Sequence, residues 1–267
     1  MRTMHRPMTM HRGAIRCFAY VPTSHREYRQ DAASLLKSSE LEFAIAGVLP
    51  AVPLFPLAHF VKFPTESFAL HIFELRYKAM FRPREAEGPA LFGMVCGDSE
   101  GLGSSGERVW PGSDVATLCR VTSSEKLENG NLLVNCEGLR RISLKEPSIV
   151  PLGYWAAEAE LFADSAEGAD DDDGSEAALE LELHTRLMMV AQKLRQHSTE
   201  ADQAFESFVQ IVETNRERGA EKFGCFVASL LEVDWQQKMS LLRMRDSKKR
   251  LRALTRMLGR QTGTDAS

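Results

Sequence analysis

Apolar and polar positions follow two rhythms along this chain, which change over near residue 164. Before it, apolar residues come in short runs or alternate with polar ones, as strands require. Val52–Leu57 is such a run, broken by Pro53 and Pro56. Proline has no N–H for a central ladder, so the run predicts an edge strand. Phe68–Phe73 predicts a second strand, Glu74–Phe81 a helix closed by Pro83, and Leu91–Cys96 a third strand. The glycine- and serine-rich stretch 97–113 predicts a loop. Val115–Ser123 reads as a strand. It is followed by Asn129-Gly130, the favoured pair of a type I′ turn, and then by alternating Leu132, Val134 and Cys136. A two-residue turn there sets Cys119 opposite Arg140 and Cys136 opposite Ser123, about 13 Å out of register along the strand. Arg141–Leu144 and Tyr154–Phe162 complete the β-rich part.

Beyond residue 175 the period becomes helical. Leu179, Leu183, Leu187, Val190 and Leu194 share one face, with Ser175 as N-cap. Phe205, Phe208, Val209 and Val212 mark a second helix, capped by Thr199 or a neighbour. Phe223, Phe226, Val227, Leu230 and Leu231 mark a third, and Trp235, Met239 and Leu242 a fourth. Leu251, Leu254 and Leu258 mark a fifth, capped by Asp246 or Ser247 and ended by Gly259. The expected fold is α+β: a small β-barrel or folded sheet over 48–163, an acidic linker over 164–176, and a helical bundle over 177–260.

Composition sharpens the two ends of this picture. From Met1 to Arg26 there are five arginines, three histidines and no acid, the profile of an organelle transit peptide or a disordered leader, taken here as 1–46. Between Glu158 and Glu182 there are eleven acids and no Lys or Arg. The four consecutive carboxylates Asp170–Asp173 repel one another, and their spacing is not that of an EF-hand, so a solvated loop is expected and no metal site. The net charge of -4 argues against a protein built to coat nucleic acid. Nine basic residues between Lys238 and Arg260 keep an RNA-binding alternative open, although Leu251, Leu254 and Leu258 give that region a face to bury. No apolar stretch reaches the roughly 18 to 20 residues that span a bilayer.

Catalytic constellations are sparse. The chain has no G-x-x-x-x-G-K-[ST], no G-x-S-x-G and no H-E-x-x-H. Gly101-Leu-Gly-Ser-Ser-Gly106 matches G-x-G-x-x-G in letters but opens no apolar helix. The five cysteines, Cys17, Cys96, Cys119, Cys136 and Cys225, form no C-x-x-C and are expected as buried free thiols. His71, in an apolar strand, is expected as a satisfied core residue.

Pro53-Leu-Phe-Pro-Leu57, Phe63-Pro64 and Leu70-His-Ile-Phe-Glu-Leu-Arg-Tyr77 resemble the opening of the N-terminal, substrate-recognition domain of the Lon protease family. Phe92-Gly-Met-Val95, Gly138-Leu-Arg-Arg-Ile142 and the helices from Phe226 to Leu251 resemble later parts of the same domain. The likeness covers about 50 to 260. It departs at Leu75, where the family often has proline, and in a longer acidic insert and glycine loop.

The resemblance implies a PUA-like β-domain followed by a helical bundle. It marks Pro53, Phe55, Pro56, Pro64, His71, Phe73, Glu74, Arg76, Tyr77, Gly138 and Arg141 as family-motif residues, expected to be structural. Glu74 is expected at a helix N-terminus, Arg76 as a bidentate tie between strand ends, and Tyr77 as a ring in the core. No ATPase or protease motif accompanies the domain, so a stand-alone, non-catalytic protein without cofactor or metal is expected. Its expected partners are unfolded or tagged polypeptide segments in organellar protein quality control, or a protease or chaperone. The alternatives are an RNA-binding PUA-like protein and an adaptor that recruits a separate protease. Plastid is the expected location and mitochondrion the second choice, with the leader cleaved before about residue 50.

Overall fold

The computed structural model describes residues 48–81, 90–97, 110, 112–165, 175–195 and 201–262, with backbone alone at 194, 201–203 and 261–262. The leader, Cys17, Pro83, the loop at 98–109, the middle of the acidic linker and the cap at Thr199 lie outside the described residues. The chain runs β1 (Val48–Leu57), β2 (Ser67–Ile72), α1 (Leu75–Met80), β3 (Leu91–Cys96), β4 (Val115–Lys126), β5 (Leu132–Ile149), β6 (Trp155–Leu161). It continues with α2 (Glu176–Arg195), α3 (Ala201–Arg216), α4 (Ala220–Leu230), α5 (Trp235–Arg243) and α6 (Ser247–Thr262). The α+β order of sheet followed by helices is as expected.

The six strands form one mixed sheet in the order β2-β5-β4-β3-β1-β6, and an added β5–β6 pairing closes five of them into a ring. Leu54 of β1 and Ile142 of β5 are not on adjacent strands. Both nevertheless approach Gly93, where a Cβ would lie 2.8 Å from Leu54 Cδ2 and 3.7 Å from Ile142 Cδ1. Val52, Leu54, Val95, Ala116, Leu118, Ile142, Trp155, Ala157 and Ala159 therefore fill the inside of the ring. The opposite face of the same strands is covered twice. Phe92, Met94 and Cys119 pack under α1 and β2, while Cys96 and Val115 join Val61 and Phe63 in the helical core.

β1 corrects the edge-strand expectation, because it lies between β6 and β3. Its prolines are tolerated because the two neighbours take turns. β6 pairs with Val48–Leu54 and β3 with Leu54–Leu57. Each half, Pro53 in one and Pro56 in the other, is thus paired on one side, which leaves room for a missing N–H. β5, 18 residues long, unites two stretches that read as separate strands. One side follows β4, and the other pairs first with β2 and then with β6.

The hairpin has a different turn from the one expected. Gly130 N–H bonds the Leu127 carbonyl at 2.9 Å, Leu127 N–H bonds the Asn131 carbonyl at 2.9 Å, and Gly130 has φ +76°. This is a three-residue loop ending in a left-handed glycine. Asn129 does not take the positive φ of a type I′ turn, and its Oδ1 accepts from Asn131 N–H at 3.0 Å. With register shifts between Val121 and Ser123 and between Leu118 and Cys119, Cys119 pairs with Gly138 and Cys136 with Val121. The thiols are diagonal neighbours rather than four residues apart, and both are free.

The helices start where side chains accept the first orphan N–H groups. Ser175 Oγ accepts from Ala178, Asp234 Oδ1 from Gln237 at 2.7 Å, and Asp246 Oδ1 from Lys249 at 2.9 Å. α6 does not stop at Gly259, which is buried within the helix and outside the left-handed region, but runs on to Thr262. It packs on α2 and α4 through Leu251, Leu254 and Leu258. Among the described residues no helix is long and apolar enough to cross a membrane.

Candidate functional site

The motif residues fall into two groups, one tied into the fold and one at the surface. Gly138 meets the Phe63–Pro64 turn. A Cβ on Gly138 would lie 2.3 Å from the Phe63 carbonyl oxygen. Thr65 N–H bonds the Gly138 carbonyl at 2.8 Å, and Gly138 N–H bonds the Glu66 carbonyl at 2.9 Å. Pro64 is buried in this knot, and Thr65 holds φ +75° beside it. Phe55 and Pro56 are buried and Pro53 is half-buried along β1.

Arg141 is buried at 0% side-chain exposure. It donates to the carbonyls of Leu242 (3.1 Å) and Met244 (2.7 Å), to Glu221 Oε1 from both Nε (3.0 Å) and Nη2 (2.7 Å), and to Asp164. Arg250, equally buried, shares that Asp164 and the Met244 carbonyl. Burial opposes its charge, but the Asp164 bonds and neighbouring acids outweigh it and hold its pKa above the ordinary value. This cluster fastens β5, the segment after β6, and the helices into one body. Sequence reading singled out Arg141, but not Asp164, Glu221 or Arg250.

The second group lies where β2 runs into α1. The Tyr77 ring is buried 4.5 Å from the Phe55 ring, and the Arg76 guanidinium lies 4.8 Å above it. Arg76 bonds Glu74 Oε2 through Nε at 2.8 Å and Nη2 at 2.6 Å, instead of tying strand ends together. Glu74 sits at the N-cap position of α1, but its side chain makes no cap bond.

His71 corrects the core expectation, because it is exposed. Its place on β2 has the parity of Ala69, facing out, while Leu70 and Ile72 face in. Lys78 Nζ donates to Asn131 Oδ1 at 2.9 Å, and Asn131 Nδ2 lies 3.1 Å from His71 Nε2. An ammonium can only donate, so this orientation leaves Nδ2 to donate to an unprotonated Nε2. Phe73 follows at 63% exposure, its ring 6.2 Å from His71, and Leu75 at 82%. They are the two most exposed large apolar side chains among the described residues. The β5–β6 turn approaches the same corner, with Gly153 beside the Arg76 Cβ and Leu152 53% exposed. The sequence marked Leu75 only as a departure from the family's usual proline and did not mark Leu152, because exposure leaves no periodic trace in a six-residue helix or in a turn.

The chemistry at this corner is apolar contact with self-paired charges. Glu74 is paired to Arg76, and Lys78 is held by Asn131. Among the described residues no cluster of His, Cys, Asp and Glu could hold a metal ion. The four described thiols are buried, and burial raises their pKa values: Cys119 well above the ordinary value, Cys136 to about 12, Cys225 to about 11, and Cys96 more modestly.

Comparison with known proteins places this arrangement. The family model described as the ATP-dependent protease La (LON) substrate-binding domain matches residues 51–260. No curated protein matches the chain. Among solved structures, a Lon N-terminal domain protein from Xanthomonas campestris is similar, with 22% identity and a TM-score of 0.50, over 77% of this chain and 97% of that one. The N-terminal domain of Lon protease from the Mycobacterium avium complex is similar at 16% identity and a TM-score of 0.55, over 81% of this chain and all of that one (100%). Those two show a shared fold, and the family match over 51–260 spans the sheet and the helices: the chain belongs to the Lon substrate-binding-domain family.

Proposed function

We propose that this chain is a non-catalytic binding module for polypeptides, taking unfolded or tagged segments in organellar protein quality control and presenting them to a separate protease or chaperone. One observation carries the reading. On a fold of the substrate-binding-domain family, Phe73 and Leu75 stand out of the surface beside Leu152, next to charges that already have partners. Apolar side chains grouped in water mark an interaction site, and self-paired charges give an acidic or basic ligand little to hold. The non-catalytic part rests on the missing nucleotide and nucleophile motifs and on thiols held protonated, since the thiolate is the nucleophile. The acid-free arginine-rich leader supports import, with plastid as the first destination and mitochondrion the second.

The test is a fluorescence-anisotropy titration of the full chain against two labelled probes, permanently unfolded carboxymethylated lactalbumin and a single-stranded RNA. Saturable binding of the unfolded protein, unchanged by nuclease and without ATP or peptide hydrolysis, is expected. RNA binding that weakens with salt, with no binding of the unfolded protein, would replace this reading by the RNA alternative through the basic side of α6, where Lys249, Arg256 and Arg260 are exposed.

A further inference from the structure

β2 ends the sheet. It pairs with β5, and among the described residues no strand pairs with its other side. Gly138 N–H points at Glu66, and the register from there is unbroken: Phe68 with Cys136, Leu70 with Val134, Ile72 with Leu132. Antiparallel ladders alternate, so these are the residues bonded to β5. The N–H and C=O of Ser67, Ala69 and His71 therefore point away from the sheet, as a row six residues long of donors and acceptors that no strand among the described residues meets.

Natural edges of this kind are blunted by proline, bulges or inward charges. β2 has none of these. Its register with β5 is regular, and it holds no proline and no Asp, Glu, Lys or Arg. Ser67, Ala69 and His71 are exposed, and Phe68 is half-buried. The edge leads directly into Phe73 and Leu75.

We propose that the β2 edge takes an extended, uncharged segment of an unfolded polypeptide as an added strand of about six residues, with an apolar residue beyond its end seated on Phe73 and Leu75. This rests on the polypeptide-binding reading and assigns it a place and a mode. The backbone of the guest supplies the affinity, which makes recognition tolerant of sequence. Alternate side chains of the guest lie on the side of Ala69 and His71, where the nearby Lys78 ammonium is already held by Asn131 Oδ1. The flanking charges are already matched, Glu74 by Arg76 and Lys62 by Glu66, so a charged guest gains nothing from them.

The experiment uses a fluorescein-labelled alternating Val-Thr decapeptide and two versions of it, one N-methylated on every second amide and one on every amide. The first keeps the donors of one strand edge, can turn that edge to β2, and is expected to bind. The second has no donor on either edge and is expected to lose binding. In the protein, Ala69→Pro removes an outward N–H and leaves the β5 ladder intact. It is expected to weaken the unmodified peptide at least about tenfold with an unchanged circular dichroism spectrum. Leu75→Ser is expected to weaken it less, and Met189→Ser, on the exposed side of α2, not at all. If Ala69→Pro disturbs the fold, the two methylated peptides on the native chain decide alone. Binding of the fully methylated peptide as tight as that of the unmodified one overturns the edge proposal while polypeptide binding stands. Absence of any binding by unfolded lactalbumin removes the underlying reading. A concentration-dependent dimer abolished by Ala69→Pro assigns the edge to a second copy of this chain and overturns the proposal.

Discussion

At the scale of single residues, Asp164 carries more than its exposure of 16% announces. It accepts from two buried arginines, Arg141 and Arg250. Asp164→Asn keeps the shape and removes the charge, leaving two guanidiniums against Glu221. Breaking a buried pair in this way costs about 3–5 kcal/mol, so the urea midpoint is expected to fall steeply. Asp114→Asn, which breaks the exposed pair with Arg243, is expected to leave the midpoint where it was. The cluster was not legible in the sequence, because its members lie 23 and 80 residues from Arg141 and no local pattern separates them from ordinary surface charges. The buried thiols give a prediction on the alkaline side. Cys136 and Cys225, pushed up to about 12 and about 11 by burial, stay protonated in the fold at a pH where the unfolded chain has lost those protons. Their stabilisation is complete below the ordinary value of 9.0 and declines as pH rises from there, at up to about 1.4 kcal/mol per pH unit for each thiol. Cys225→Ala is expected to flatten the fall in urea midpoint between pH 9 and 11 relative to the native chain, and a parallel fall would remove the thiol from the account.

At the scale of elements, two glycines on one hairpin act for different reasons. Gly130 has open space around it and a φ of +76°, so Gly130→Ala meets only the left-handed backbone, about 1 kcal/mol. Gly138 has no such φ, but a methyl there would strike the Phe63 carbonyl oxygen at 2.3 Å. Gly138→Ala is expected to cost more, about 3 kcal/mol, because backbone must move. Differential scanning calorimetry of the two variants tests the order, and equal losses would contradict the docking of the Phe63–Pro64 turn. The helices were legible nearly to their ends, since Leu183, Leu187 and Val190 or Leu251, Leu254 and Leu258 repeat at helical spacing and capping residues precede them. Strand partners were less so. The prolines of β1 signalled a missing neighbour correctly for each half, but the handover from β6 to β3 at Leu54 is a property of ring closure. The turn at Gly130 was mistaken by one residue, because Asn-Gly serves two loop types and the Asn129 side chain decides between them.

At the scale of the whole molecule, the β-rich and helical parts divide cleanly in sequence and share their interior in space. Val61, Phe63, Cys96 and Val115 lie in the same apolar cluster as Leu183, Phe223 and Leu242, and His59 stacks on Trp235 with ring centroids 5.1 Å apart. A fragment spanning 48–163 would bare these side chains and leave Arg141 without Glu221 or the α5 carbonyls. It is expected to lack a cooperative unfolding transition, as read by tryptophan fluorescence in urea. A sharp transition in the fragment would show that the ring stands alone. The shared Asp164 also limits how such a sequence can drift. Replacing Asp164 or Glu221 singly leaves a buried guanidinium short of an acid, and replacing either arginine leaves a carboxylate without its partner, whereas losing Arg250 together with Glu221 leaves one neutral pair. Change at this joint is therefore easiest two residues at a time, one from each sign. A lineage that has acquired the four charges is held to them as by a ratchet, free to vary the loops and the exposed surface around a joint that resists single steps.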